Sequence, residues 1–171
     1  MFNKLVVQTH RCEIRHADLD DADFIIKLLN QKSFIDNIGD KQVRDRKSAY
    51  DYIKRSFQVQ YQAQSFAPYI VCLKTGQKIG IAGFYQRSYL QGPDLGYAFL
   101  DEYTGQGLAS EACIGLISLA KSDMQLSKLY AVTDMDNMKS QRLLRSLGFE
   151  FNGKIICQAD KIDSLFTYKF I

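Results

Sequence analysis

The stretch from Pro93 to Ala112, PDLGYAFLDEYTGQGLASEA, holds the residues best placed for chemistry. Strand-forming residues up to Leu100 give way to Gly105-Gln106-Gly107-Leu108-Ala109-Ser110, small residues where a long helix begins. The first turn of a helix presents N–H groups without intrahelical partners and the positive end of the helix dipole. Glycines there let a phosphate approach those donors. A nucleoside-triphosphate loop needs Gly-x-x-x-x-Gly-Lys-Ser/Thr, but Leu108 follows Gly107 and the loop has no lysine. A dinucleotide fingerprint needs a third glycine where Ser110 stands, and comes early in a chain rather than late. What remains is an anion site of open identity, with a tight turn that binds nothing as the plain alternative.

Other candidates are few. His10 and His16 precede the first helix without a third ligand nearby, so no metal is expected. Cys12, Cys72, Cys113 and Cys157 are widely spaced, form no Cys-x-x-Cys pair and sit among apolar neighbours, as small core residues do. Thiols without a disulfide framework suggest the cytoplasm. Met1 to Arg15 shows no basic segment followed by a long apolar stretch, so no secretory leader is expected. The formal charge of +3, from 22 Lys+Arg against 19 Asp+Glu, argues against nucleic-acid binding. The densest basic cluster, Arg44, Arg46 and Lys47, is diluted by Asp40 and Asp45 and reads as a solvated helix start.

The elements that position these residues follow from periodicity. With 171 residues, 46% of them apolar, the chain suits one domain, 1–171. No apolar run approaches the roughly 18 residues of a membrane helix. Leu5 to Arg15 reads as a first strand. Asp18, Asp20 and Asp21 start a helix whose Phe24, Ile25, Leu28 and Leu29 share one face. Ser33 to Arg44 has the Asp, Asn and Gly of a loop. Asp45 caps a second helix that fades before Pro68. Tyr69–Leu73 and Lys78–Gln86 form a hairpin about Lys74-Thr75-Gly76-Gln77. Asp94–Leu100 is a fourth strand. Ala109, Ala112, Cys113, Leu116, Ile117 and Ala120 mark the best helix. Leu129–Thr133 then completes a right-handed parallel β-α-β unit. A short helix over Asn137–Leu147 and two strands, Gly153–Ala159 and Ser164–Phe170, finish an α+β (mixed α/β) arrangement around one sheet.

The glycine loop resembles the pyrophosphate-binding motif of the GNAT superfamily of N-acetyltransferases, Gln/Arg-x-x-Gly-x-Gly/Ala, with Thr104 as a departure at its first position. Phe34 to Asp40, Asp94 to Leu100, Asp136 to Ser140 and Leu147-Gly148-Phe149 resemble, in order, further segments of the branch that acetylates ribosomal-protein N-termini (RimJ/RimL-like). The resemblance implies a twisted, mixed, seven-stranded sheet with about four helices on its two faces. It implies acetyl-CoA as co-substrate and a primary amine, a protein N-terminus or a small molecule, as acceptor. Backbone amides of Gly105, Gln106, Gly107, Leu108, Ala109 and Ser110 would hold the pyrophosphate. The pantetheine would lie along Tyr97, Ala98, Phe99 and Leu100, whose strand splays from its neighbour in the family, and Asn137 would contact it from the far side. Homodimers are common in the family.

For direct attack on the thioester, the acceptor must lose a proton. Asp94 is the candidate base, with the phenols of Tyr97 or Tyr85 as alternatives, and the Phe99 N–H would meet the oxyanion. Many relatives carry a tyrosine acid seven residues after the asparagine; Leu144 stands there, so Ser140 is the substitute candidate. Ser33–Arg44 and Ser88–Pro93 would flank the acceptor. The runner-up is a non-catalytic acyl-CoA-binding or interaction module on the same fold.

Overall fold

A computed structural model describes residues 4–171; the first three residues of the leader reading lie outside it. Its strands are β1 (Leu5–Gln8), β2 (Cys12–Arg15), β3 (Pro68–Leu73), β4 (Lys78–Tyr85), β5 (Asp94–Phe99), β6 (Lys128–Asp134), β7 (Glu150–Ile156) and β8 (Ile162–Lys169). They form one eight-stranded sheet in the order β1-β2-β3-β4-β5-β6-β8-β7. The expected seven strands become eight because Leu5 to Arg15 doubles back as a hairpin. Thr9 closes its turn, exchanging bonds with Cys12: its main-chain N–H donates to the Cys12 carbonyl and its Oγ1 accepts from the Cys12 N–H at 3.0 Å.

All neighbouring strands are antiparallel except β5 and β6, which are parallel and paired at Asp94 and Tyr130 alone. The two strands diverge from there. They are linked by a helical crossover, as a parallel pair requires.

The helices are α1 (Ala22–Leu29), α2 (Lys32–Asn37), α3 (Arg46–Ile53), α4 (Val59–Gln62), α5 (Leu108–Ser122) and α6 (Met138–Ser146). Asp45 caps α3 by accepting from the Ser48 N–H at 2.8 Å. A π-helical turn, Lys54–Gln58, continues α3 into α4. The segment read as a loop, Ser33 to Arg44, holds all of α2 but its first residue. Its Asp, Asn and Gly residues gather at the C-terminal end, where Gly39 takes φ 122°, while Phe34 is buried under the helix. Loop chemistry there ends a short helix rather than replacing one.

Side chains alternate across the sheet. Phe84, Leu95 and Phe99 face a core with Leu116 and Ile117 of α5 and Leu144 of α6. Ile70, Ile81 and Leu100 face the other core, with Ile25, Leu28, Ile53 and Phe57 from the helices before β3. His16 stacks on Tyr61 at 3.8 Å between ring centroids and is part of this packing. Arg44 pairs with Asp40 and Arg46 with Asp23, so the basic cluster is balanced. Among the described residues no helix is long and apolar enough to cross a membrane.

Candidate active site

The site is the gap that opens between β5 and β6. Leu100 N–H donates to the Ile79 carbonyl across from it at 2.9 Å. Hydrogen-bonded pairs alternate in an antiparallel ladder, so Ala98 and Gly96 likewise bond to Ile81 and Gly83 of β4. The main-chain groups of Tyr97 and Phe99 turn the other way, into the gap. This divides the four strand residues expected to pair with a ligand: Tyr97 and Phe99 offer backbone groups, whereas Ala98 and the Leu100 N–H spend theirs on β4. The Phe99 carbonyl is already held by Gln31 Nε2 at 2.9 Å, and Gln31 Oε1 accepts from the Asp101 N–H at 3.0 Å. Gln31 therefore clamps the end of β5 from the α1–α2 corner, a role that no local signal announced.

Beyond β5 the chain enters the glycine loop. Thr104 Oγ1 donates to the Asp101 carbonyl at 2.8 Å and Gln106 Nε2 to the Glu102 carbonyl at 3.1 Å, so both side chains fold the loop on itself. Gly105 and Gly107 take φ of 74° and 76°, left-handed values that disfavour any other residue. Gly107 is the N-cap of α5 and no side chain caps that helix. By contrast Asp45 caps α3 and Asn137 caps α6. The first-turn N–H groups of Leu108, Ala109 and Ser110 thus have no helical or capping partner. Leu108 buries its side chain, so only its backbone is available.

Across the gap, α6 brings Ser140 to β5. The Tyr97 and Ser140 hydroxyls are 2.7 Å apart, although 43 residues separate them in sequence. Asn137 Oδ1 accepts from the Ser140 N–H at 3.1 Å, which orients the serine at the helix start. Burial pushes the Tyr97 phenol above its ordinary value, and the bond to Ser140 offsets that only in part. A raised phenol holds its proton more firmly, which weighs against Tyr97 as the base, and in the pair with Ser140 either hydroxyl can donate. Burial pushes the Tyr85 phenol up as well. Leu144, where relatives carry a tyrosine, is 1% exposed and packs in the core.

Asp94 and Tyr97 are three residues apart on one strand, so they face opposite sides of the sheet. On the Asp94 side, both carboxylate oxygens lie 3.0 Å from Arg87 Nε. Asp94 is 1% exposed, and burial pushes its carboxyl above the ordinary aspartate value while Arg87 pulls against that. The Tyr85 ring lies over Gly96, where an added Cβ would come within 2.6 Å of it. Arg87 was missed in the sequence; the register that sets Tyr85 opposite Asp94 is what folds it back onto that acid. Among the described residues no group of three or more His, Cys, Asp or Glu side chains comes together to hold a metal ion.

The profile of the acetyltransferase (GNAT) domain matches residues 11–150. The chain belongs to the GNAT acetyltransferases. A relative, the uncharacterised N-acetyltransferase p20 of Bacillus licheniformis, is 27% identical over 146 residues, covering 85% of this chain and 82% of that protein. The crystal structure of an acetyltransferase from Agrobacterium tumefaciens str. C58 superposes with a TM-score of 0.81 at 18% identity, covering 99% of this chain and 97% of that one. RimL, described as a ribosomal L7/L12 alpha-N-protein acetyltransferase and solved with coenzyme A, superposes with a TM-score of 0.82 at 15% identity, covering 97% of each chain. The microcin C7 self-immunity acetyltransferase MccE, solved with acetyl-CoA and AMP, gives 0.81 at 16% identity, covering 94% of this chain and 93% of that one. At such identities these structures speak for the GNAT fold alone.

Proposed function

We propose that this GNAT protein transfers the acetyl group of acetyl-CoA to a primary amine, and that it does so in a ternary complex. The observation that carries this reading is the gap between β5 and β6. Its strand edge, at Tyr97 and Phe99, leads directly to an uncapped helix start behind two left-handed glycines. A ligand with an amide-containing arm and a diphosphate at one end fits both features. The coenzyme A and acetyl-CoA bound by RimL and MccE are of this kind.

Acetyl-CoA supplies an activated thioester; this chain supplies position and proton handling. The N–H groups from Gly105 to Ser110 receive the diphosphate, the β5 edge aligns the arm, and Asn137 contacts it from α6. Phe99 N–H, turned into the gap, donates to the carbonyl oxygen as negative charge develops on it. The amine nitrogen bonds to the carbonyl carbon and the carbon–sulfur bond breaks. Asp94, on the far face of β5, takes the amine proton through water. The Tyr97–Ser140 hydroxyl pair on the other face delivers a proton to the departing sulfur. Thiols ionise near pH 8.5, so that sulfur needs little help and positioning carries much of the rate. The acceptor is a primary amine of a polypeptide N-terminus, as in RimL's description, or of a small molecule.

Thiol release from acetyl-CoA, followed across N-terminal peptides, polyamines and amino-sugars, tests the proposal. Release that depends on one class of amine supports it. Saturable coenzyme A binding with no release from any amine would favour a non-catalytic acyl-CoA-binding module instead.

A further inference from the structure

The β1–β2 hairpin, read as a single strand in the sequence, places its turn against the glycine loop. β1 approaches α5 so closely that a Cβ on Gly115 would come within 2.9 Å of Val7 Cγ1 and 3.1 Å of Thr9 Cγ2. The β1–β2 turn then grips Glu111 in the first turn of α5. Thr9 Oγ1 donates to Glu111 Oε1 at 2.6 Å, the Arg11 main-chain N–H donates to the same oxygen at 2.6 Å, and Arg11 Nε donates to Oε2 at 2.7 Å. The other arm of the guanidinium reaches the loop itself. Arg11 Nη1 donates to the Gln106 carbonyl at 3.0 Å, and Nη2 lies 3.4 Å from where a Cβ on Gly107 would stand.

We propose that Arg11 and Glu111 are a positioning pair that presets the diphosphate loop from the β1–β2 turn. The peptide unit is planar and trans, so its C=O and N–H point in opposite directions. Holding the Gln106 carbonyl toward Arg11 therefore aims the Gly107 N–H away from it, to the side on which an anion meets the start of α5. Glu111 is the anchor. Left alone, an acid in the first turn would itself take up the positive end of the helix. Tied to Arg11 and Thr9, its carboxylate is neutralised and turned to the hairpin, and the amides of Leu108 to Ser110 stay open for the ligand. The pair rests on the acetyl-CoA reading above but concerns how the loop is held rather than what it holds.

Two measurements separate the claims. In the ligand-free protein, amide resonances and hydrogen exchange of Gly105 to Glu111 report the brace directly. Arg11→Gln should shift those signals and speed exchange of the Glu111 amide, which donates to the Gly107 carbonyl, at least fivefold, leaving the β-sheet amides unchanged. Unaltered loop amides would overturn the proposal whatever the ligand. Calorimetric affinity for acetyl-CoA is the second readout, with turnover of S-acetylpantetheine, which lacks the diphosphate, as its control. Arg11→Gln and Glu111→Gln should each weaken acetyl-CoA about tenfold and leave S-acetylpantetheine turnover within twofold. Arg11→Lys, which keeps the charge but not the fork, should stay within threefold of Arg11→Gln. Tighter binding by Glu111→Gln, or full recovery by lysine, would make Arg11 a simple charge and sink the positioning role. Equal loss with both donors would reduce the pair to general stability. Absence of acetyl-CoA binding by the parent protein would instead defeat the acetyl-CoA reading, and the loop amides would still decide the brace.

Discussion

At the α5 end of the gap the donors are main-chain N–H groups, from Gly105 through Ser110, arranged by two left-handed glycines and braced by Arg11. At the Asp94 end the chemistry belongs to side chains: Asp94 with Arg87 on one face of β5, and Tyr97 with Ser140 on the other. A main-chain site depends on φ and ψ, so it is damaged by anything that adds a side chain or frees a peptide plane. A side-chain site depends on pairs, so it is damaged when either member loses its polar atom. The two regions should therefore fail differently, one in affinity and the other in rate.

The largest effect is expected at Gly107. Gly107→Glu puts a side chain at φ 76° and a negative charge at the anion site. Acetyl-CoA affinity measured by calorimetry should fall more than a hundredfold. The left-handed conformation costs roughly 1–2 kcal/mol for an ordinary residue, so the thermal midpoint should drop by only several degrees. A folded variant with parental affinity would remove the ligand from this loop and end the comparison.

The hydroxyl pair comes next. Tyr97→Phe and Ser140→Ala should each lower the maximal rate by about ten- to a hundredfold, the low end of general-acid loss, with acetyl-CoA affinity nearly intact. Because the two hydroxyls act as one unit, the double variant should be no slower than the worse single variant. Multiplying effects in a double-mutant cycle would show two independent roles.

The Asp94 limb sharpens the contrast between faces. Burial raises the Asp94 carboxyl above 3.8 despite Arg87. If it accepts the amine proton, the rate should rise with pH through an apparent pKa above that value. Asp94→Asn should flatten this limb and slow turnover about tenfold, with little change in acetyl-CoA binding. A parental rate with the same limb would move the base elsewhere; a slower rate with the limb retained would make Asp94 an orienting group.

The smallest effect concerns acid stability at the cofactor end. Burial would raise the Glu111 carboxyl, yet the bonds from Thr9 and Arg11 outweigh it and hold it at about 2, against an ordinary 4.5. A carboxyl depressed in the folded state adds stability that is complete above the unfolded value and fades as pH falls toward the folded one. Urea unfolding of Glu111→Gln should show a deficit on the order of 1 kcal/mol at neutral pH, narrowing between pH 4.5 and 2. A deficit that does not change with pH would assign the loss to packing.

How much of this was legible in advance differs by element. The apolar repeat from Ala109 to Ala120, the Asp45 cap and the turn at Gly76 each express a local rule, and each appears where the sequence places it. The doubling of Leu5 to Arg15 was not legible, because its turn is closed by Thr9 and secured by Glu111, 102 residues away. Helix α2 was hidden for a related reason. Its polar residues favour a loop locally, and the burial of Phe34 beneath it decides otherwise.

The same division runs through the site. Gly105 and Gly107 mark by themselves a helix start that an anion can approach, since they add no side chain there; that both are left-handed was decided by the fold. The period of a strand puts Asp94 and Tyr97 on opposite faces without knowledge of any neighbour. Which groups meet those side chains was decided by register and packing. The β4–β5 register returns Arg87 to Asp94, the crossover through α5 carries Ser140 to Tyr97, and the β1–β2 hairpin delivers Arg11 to the loop. Dihedral preference and periodicity are properties of a few consecutive residues. A contact between residues 43 or 100 positions apart exists only once the sheet between them has formed.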